Sequence, residues 1–193
     1  MSLPGQEAPQ YKIPMLGDAA VGKTCLVEQM LNGRFLTNSR PNVGVLTVQV
    51  NVTVGTKQVS LSIWDTAGQE TYRSLVPLYT RNSSLVMLVF DTTDKNTFMG
   101  VPKWLNYIRS ELGLTCPVFL IANKVDLEPE VSIDEIKNFG SEFSCEVYFT
   151  SAVSGEGVKD LLQAIACIFL GKESNSRFGD SPNLSKAQSS GCC

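Results

Sequence analysis

Gly17-Asp18-Ala19-Ala20-Val21-Gly22-Lys23-Thr24 lies between a short apolar run, residues 11–16, and a stretch with apolar residues at helical spacing, residues 24–31. Strand, glycine-rich turn and helix in that order set a helix N-terminus at the carboxyl end of a strand. Outward from it, residues 43–54 and 58–64 alternate with period two and flank Gly55-Thr56-Lys57, which predicts an antiparallel hairpin. Apolar strands at 85–90, 118–122 and 147–150 then alternate with helical stretches at 97–112, 133–143 and 158–170. The expectation is an α/β domain with a six-stranded, mostly parallel sheet, helices on both faces, and ligands at the carboxyl ends of the strands.

The chain has 193 residues, 43% of them hydrophobic, enough for one sizeable core. The reading divides it into a flexible N-terminus (1–9), one domain (10–170) and a disordered tail (171–193), where Ser, Asn, Gly and Lys replace periodic apolar residues. A net charge of −3 supplies no basic field, so no nucleic-acid partner is expected. The absence of His argues against a Ser/His triad or a zinc centre. Cys25, Cys116, Cys145 and Cys167 are scattered without a CxxC spacing, as in reduced cytosolic thiols. Residues 1–10 form no signal peptide, and no run reaches the length of a membrane span.

The first loop fits G-x-x-x-x-G-K-[ST] in its required context. Its backbone N–H groups form an anion nest, Lys23 supplies a cation to β/γ-phosphates, and Thr24 offers a hydroxyl to Mg²⁺. Asp65 ends an apolar strand and is placed to hold the metal's hydration shell. Gly68 lets a backbone N–H approach a γ-phosphate, and Gln69 can orient an attacking water. Asn123-Lys124-Val125-Asp126 and Thr150-Ser151-Ala152 follow later strands. The Asp126 carboxylate can accept two hydrogen bonds from guanine, and with Asn123 it discriminates against adenine, which lacks those donors. The ordered set predicts a site for GTP or GDP with Mg²⁺.

On these motifs the sequence resembles the Ras superfamily of small GTPases, and within it the Rab branch, over residues 10–170 plus the terminal cysteines. The stretches Ile63-Trp64-Asp65-Thr66-Ala67-Gly68-Gln69-Glu70, Tyr72-Arg73-Ser74-Leu75, Pro77-Leu78-Tyr79-Thr80-Arg81 and the ending Gly191-Cys192-Cys193 carry the Rab likeness. The resemblance implies the small-GTPase fold and a GTP-controlled switch with slow hydrolysis, regulating membrane trafficking. It implies a switch I over residues 35–46, where Val43, Gly44 and Val45 meet effectors, and a switch II over 67–79, with Trp64 and Tyr79 on the same surface. It implies that the phosphate set extends to Cys25. Phe35 packs on the base, the Lys124 stem covers it, and Ser151, Ala152 and Val153 line it, the Ala152 N–H meeting the keto oxygen. The implied partners are an exchange factor, a GTPase-activating protein, a GDP-dissociation inhibitor and GTP-state effectors, for a monomer anchored reversibly to the cytosolic face of endomembranes by prenyl groups on Cys192 and Cys193.

Four positions depart from the family pattern. Asn42 stands where a switch I Thr would ligate Mg²⁺, and its amide oxygen is a hard donor set one bond further out. Ala19 and Ala20 are expected to crowd the phosphate loop, Val153 replaces a Lys, and Leu46-Thr47 replaces Asp-Phe, leaving Trp64 and Tyr79 without their customary aromatic neighbour. Two functions remain open: a hydrolysing switch, favoured by Gln69, and a GTP-binding interaction module with negligible hydrolysis, favoured by Asn42. Arg40 reads as an exposed loop charge in preference to a built-in arginine finger.

Overall fold

The computed structural model describes residues 10–34, 45–66 and 75–176. β1 (Gln10–Leu16) leads through the glycine loop into α1 (Lys23–Asn32). β2 (Val45–Val54) and β3 (Lys57–Thr66) form the expected hairpin, and a short α2 (Val76–Thr80) follows. Then come β4 (Val86–Asp91), α3 (Lys95–Asn106) with a π-helical turn at Tyr107–Glu111, β5 (Val118–Asn123), α4 (Ile133–Glu142), β6 (Glu146–Thr150) and α5 (Val158–Ser176).

The six strands make one sheet in the order β2-β3-β1-β4-β5-β6, parallel throughout except for β2. The chain leaves β1 toward one side of the sheet and later continues on the other, so the loop after β1 sits where the strand order reverses, the usual crevice for ligands. Period-two alternation explains why the central strands read as continuous apolar runs. Met87 and Val89 of β4 join one core with Leu26, Leu161 and Ile165, while Leu88 and Phe90 join the other with Phe98, Leu105 and Ile136. Helices thus cover both faces, and β4 and β5, buried at every position, have no exposed polar side.

Boundaries follow local chemistry. The hairpin turn is Gly55-Thr56, with Val54 paired to Lys57 and Gly55 at φ 59, so one residue fewer is needed than the sequence suggests. Ser132 caps α4 by accepting the Glu135 N–H, an S-x-x-E start with acidic residues in its first turn. α5 runs to Ser176, past the expected boundary at 171: Gly171 weakens a helix by about 1 kcal/mol but does not stop one already packed. The helix expected at 97–112 begins at Lys95, because Asp94 caps it by accepting the Asn96 N–H, and ends in the π-helical turn. At the edge away from the glycine loop, Tyr11 of β1 stacks on Phe169 of α5, centroids 3.9 Å apart and nearly parallel.

Candidate functional site

The register brings the motifs to one sheet edge. Met15, two residues before the loop, pairs with Asp65, while Asp91, Asn123 and Thr150 lie side by side at the ends of β4, β5 and β6. Gly17 and Gly22 are dictated by close approach as well as positive φ: a Cβ on Gly17 would stand 2.1 Å from the Val89 carbonyl oxygen, and one on Gly22 would stand 2.4 Å from Asn123 Nδ2. Ala20 adopts φ 62, a left-handed conformation costing a non-glycine residue about 1 kcal/mol. Ala19 and Ala20 are both exposed, so the strain of this turn lies in the Ala20 backbone.

Gly22 caps α1 without a side-chain bond, and no acidic residue occupies that helix's first turn, unlike α4. The α1 N-terminus therefore keeps its dipole and donors for an external anion. Lys23 is buried, its ammonium donating to the carbonyls of Gly17 (2.9 Å) and Asp18 (2.6 Å). Burial lowers its pKa to about 8 against the opposing pull of Asp65 and Asp18. A dehydrated cation beside an unopposed helix dipole suits phosphate.

Thr24 Oγ1 donates to Asp65 Oδ2 at 2.7 Å, and Asp65 is fully buried. A hydroxyl and a carboxylate at this spacing are hard oxygen donors that fit Mg²⁺, whose remaining ligands would be water and phosphate. Cys25 follows at the start of α1, half-buried.

At the other end of the site, Asn123 is turned inward. Its Nδ2 donates to the Val21 carbonyl at 2.9 Å and its Oδ1 accepts from Thr150 Oγ1 at 3.2 Å, with no surface exposed. The residue straps the phosphate loop to β5 and β6. Lys124 has φ 69 and pairs with Asp91 Oδ2 at 2.5 Å. Burial pushes the Asp91 carboxyl up, but Lys124 and Thr93 together outweigh it and hold the carboxyl below its ordinary range. Asp126 is exposed on the adjoining turn, where its carboxylate can meet a base. Ser151 Oγ accepts the N–H groups of Val153 and Ser154, folding the last loop around buried Ala152, while Val153 is 54% exposed.

Trp64 is half-buried, its indole N–H donating to Ser62 Oγ, and Lys12 Nζ lies 4.0 Å from its ring centroid while donating to the Arg81 carbonyl. A cation thus covers a face of Trp64. Tyr79 is half-buried on α2 beside exposed Leu78, and Val45 pairs with Thr66 in the hairpin. Phe35, Arg40, Asn42, Val43, Gly44, Gly68, Gln69, Cys192 and Cys193 lie outside the described residues.

Three contributors were missed from sequence: Asp91, Thr150 as the Asn123 partner, and Trp104, whose indole N–H donates to Asp18 Oδ1 at 2.9 Å. Asp91 could have been found, since it closes an apolar strand at the same edge as Asp65 does. The family model described as the Ras family matches residues 12–169, a span that contains the phosphate loop, the Thr24–Asp65 pair and the base-side loops. That family binds GTP and GDP with Mg²⁺ and works as GTP-hydrolysing switches under the control of regulators and effectors. The chain accordingly belongs to the Ras family of small GTPases.

Proposed function

We propose that this chain is a Rab-type switch: it binds GTP or GDP with Mg²⁺, hydrolyses GTP slowly, and directs membrane trafficking through effectors that engage the GTP state. The observation carrying this reading is the convergence of Lys23, the Thr24–Asp65 pair and the Asp126 turn on one sheet edge, joined by the Asn123 strap. Lys23 and the α1 N-terminus bind the phosphates; Thr24 and Asp65 hold the metal, which neutralises charge on the phosphate oxygens. Asp126 accepts the guanine donors, and the Lys124 stem, pinned by Asp91, covers the ring. Gln69 orients the attacking water. The isolated protein, lacking an arginine finger, hydrolyses GTP on the order of 10⁻⁴ to 10⁻² s⁻¹.

The Rab assignment rests on residues 63–70, 72–75 and 77–81 and on the ending Gly191-Cys192-Cys193. Both terminal cysteines receive prenyl groups, since residues 171–193 carry Lys172, Arg177 and Lys186 against Glu173 and Asp180, 3 − 2 = +1, too little charge for an electrostatic anchor. Asn42 favours a second reading, a GTP-binding interaction module with negligible hydrolysis.

Fluorescent GDP and GTP, titrated with and without Mg²⁺ and competed by ATP, test the site: one-to-one guanine-specific binding is expected, and Asp126→Asn should weaken it and admit xanthine nucleotides. Unchanged GTP affinity in that variant would place the base elsewhere. Single-turnover hydrolysis separates the two readings, the switch requiring turnover that Gln69→Leu slows. Intact mass from a eukaryotic host should show two isoprenoid additions, and Cys192→Ser with Cys193→Ser should leave the protein off membranes.

A further inference from the structure

The Lys23 bonds go to backbone carbonyls, so the Asp18 side chain takes no part in them. Its carboxylate is directed to α3, where Trp104 Nε1 donates to Oδ1 at 2.9 Å from 86 residues away in sequence. Gly100, one turn earlier on α3, leaves room for the other oxygen: a Cβ there would stand 3.0 Å from Oδ2. The helix is irregular around this contact. Pro102 lies inside it, and the π-helical turn begins at Tyr107, whose ring meets Trp104 edge-on at 6.1 Å. Such turns are rare, and those that occur are frequently at functional sites. The pair borders an open cleft of about 480 Å³, lined by Asp18, Asn96, Met99, Gly100, Lys103 and Trp104, so the bond is not a core contact.

We propose that the Trp104–Asp18 hydrogen bond is a brace through which α3 holds the phosphate loop around Lys23, making Trp104 a positioning residue for nucleotide retention. Asp18 offers its carbonyl to the lysine and its carboxylate to the indole, so a shift of α3 reaches the phosphate grip through one residue. This inference rests on the guanine-nucleotide reading above.

Release of fluorescent GDP is the measurement. Losing a hydrogen bond to a charged acceptor should make Trp104→Phe release GDP about tenfold faster. Asp18→Asn, which keeps an acceptor oxygen, should fall between that variant and the parent, and Asp18→Ala combined with Trp104→Phe should add little to the larger single effect. The sequence has two tryptophans, so in a Trp64→Phe background Trp104 is the sole indole. Its emission should shift when GDP is stripped with a chelator, and with Asp18→Ala added it should stay at the stripped position throughout. Parental release by Trp104→Phe, with one-to-one GDP binding retained, overturns the brace and leaves the nucleotide reading standing; absence of GDP binding by the parental chain overturns both.

Discussion

The two ends of the site are built differently. At the base end, described side chains already have partners: Asn123 with the Val21 carbonyl and Thr150, Lys124 with Asp91, Ser151 with two loop N–H groups. At the phosphate end a dehydrated ammonium rests on two carbonyls and a helix N-terminus has no side-chain cap, while the Thr24 hydroxyl donates to the buried Asp65 carboxylate. On the proposed reading, the base end is thus preorganised by its own hydrogen bonds, whereas the phosphate end presents a buried cation and a helix dipole to an anion. Nucleotide should accordingly stabilise the phosphate end more than the base end.

The largest expected effect comes from breaking the link between them. Asn123→Ala leaves the Val21 carbonyl and the Thr150 hydroxyl without the Asn123 partner in a fully buried position. It should cost about 4 kcal/mol in stability, and guanine-nucleotide affinity should fall more than a hundredfold. Thermal melts with and without GDP check both; an effect on affinity alone would mean that the strap does not bear on the fold.

Next comes the phosphate end by itself. Unfolded, the Lys23 amine has its ordinary value of 10.5; folded, it titrates at about 8. Between those values the unfolded chain holds the extra proton, so protein stripped of nucleotide should gain stability as pH rises from 8 toward 10.5, by up to about 3 kcal/mol, with no such gain below 8. Lys23→Met should abolish that rise and weaken GDP binding. Nucleotide affinity should fall above pH 8 as the cation is lost. Chemical denaturation across this pH range decides it, and parallel curves for parent and variant would contradict the burial argument.

The smallest effect belongs to the base-end ion pair. The Asp91 carboxyl is held below its ordinary 3.8, so its contribution is present above that value and is lost as pH falls through the lowered folded value. With the Lys124 side chain 31% exposed, screening limits the pair to about 1 kcal/mol. Lys124→Met should trail the parent by that amount at neutral pH and match it in strong acid. A persistent gap in acid would assign the loss to packing of the lysine stem.

Much of this arrangement was legible before any coordinates. Leu85 to Phe90 and Val118 to Ala122 are apolar on both alternating faces, which only a sheet covered on both sides requires. The glycine loop announces itself because close approach admits no substitute at Gly17 or Gly22. The inward turn of Asn123 was not legible, since N-K-x-D names residue types without saying which way an amide faces. The Asp18–Trp104 bond was hidden for another reason: no local pattern links residues 86 apart. The five-residue α2 is too short for periodicity to register, and Pro77 at its start could equally mark a turn.

The stack of Tyr11 on Phe169 has a consequence for how the domain could be rewired. It joins the first strand to the last helix at the edge remote from the phosphate loop. Covalent order is therefore separable from spatial order here. A circular permutant with the ends of β1 and α5 joined by a linker, and new termini opened at the exposed Gly55-Thr56 turn, would keep each strand's neighbours and each loop of the site. It would give up only the short covalent link between β2 and β3, whose ten-pair ladder would then have to form between separate ends of the chain.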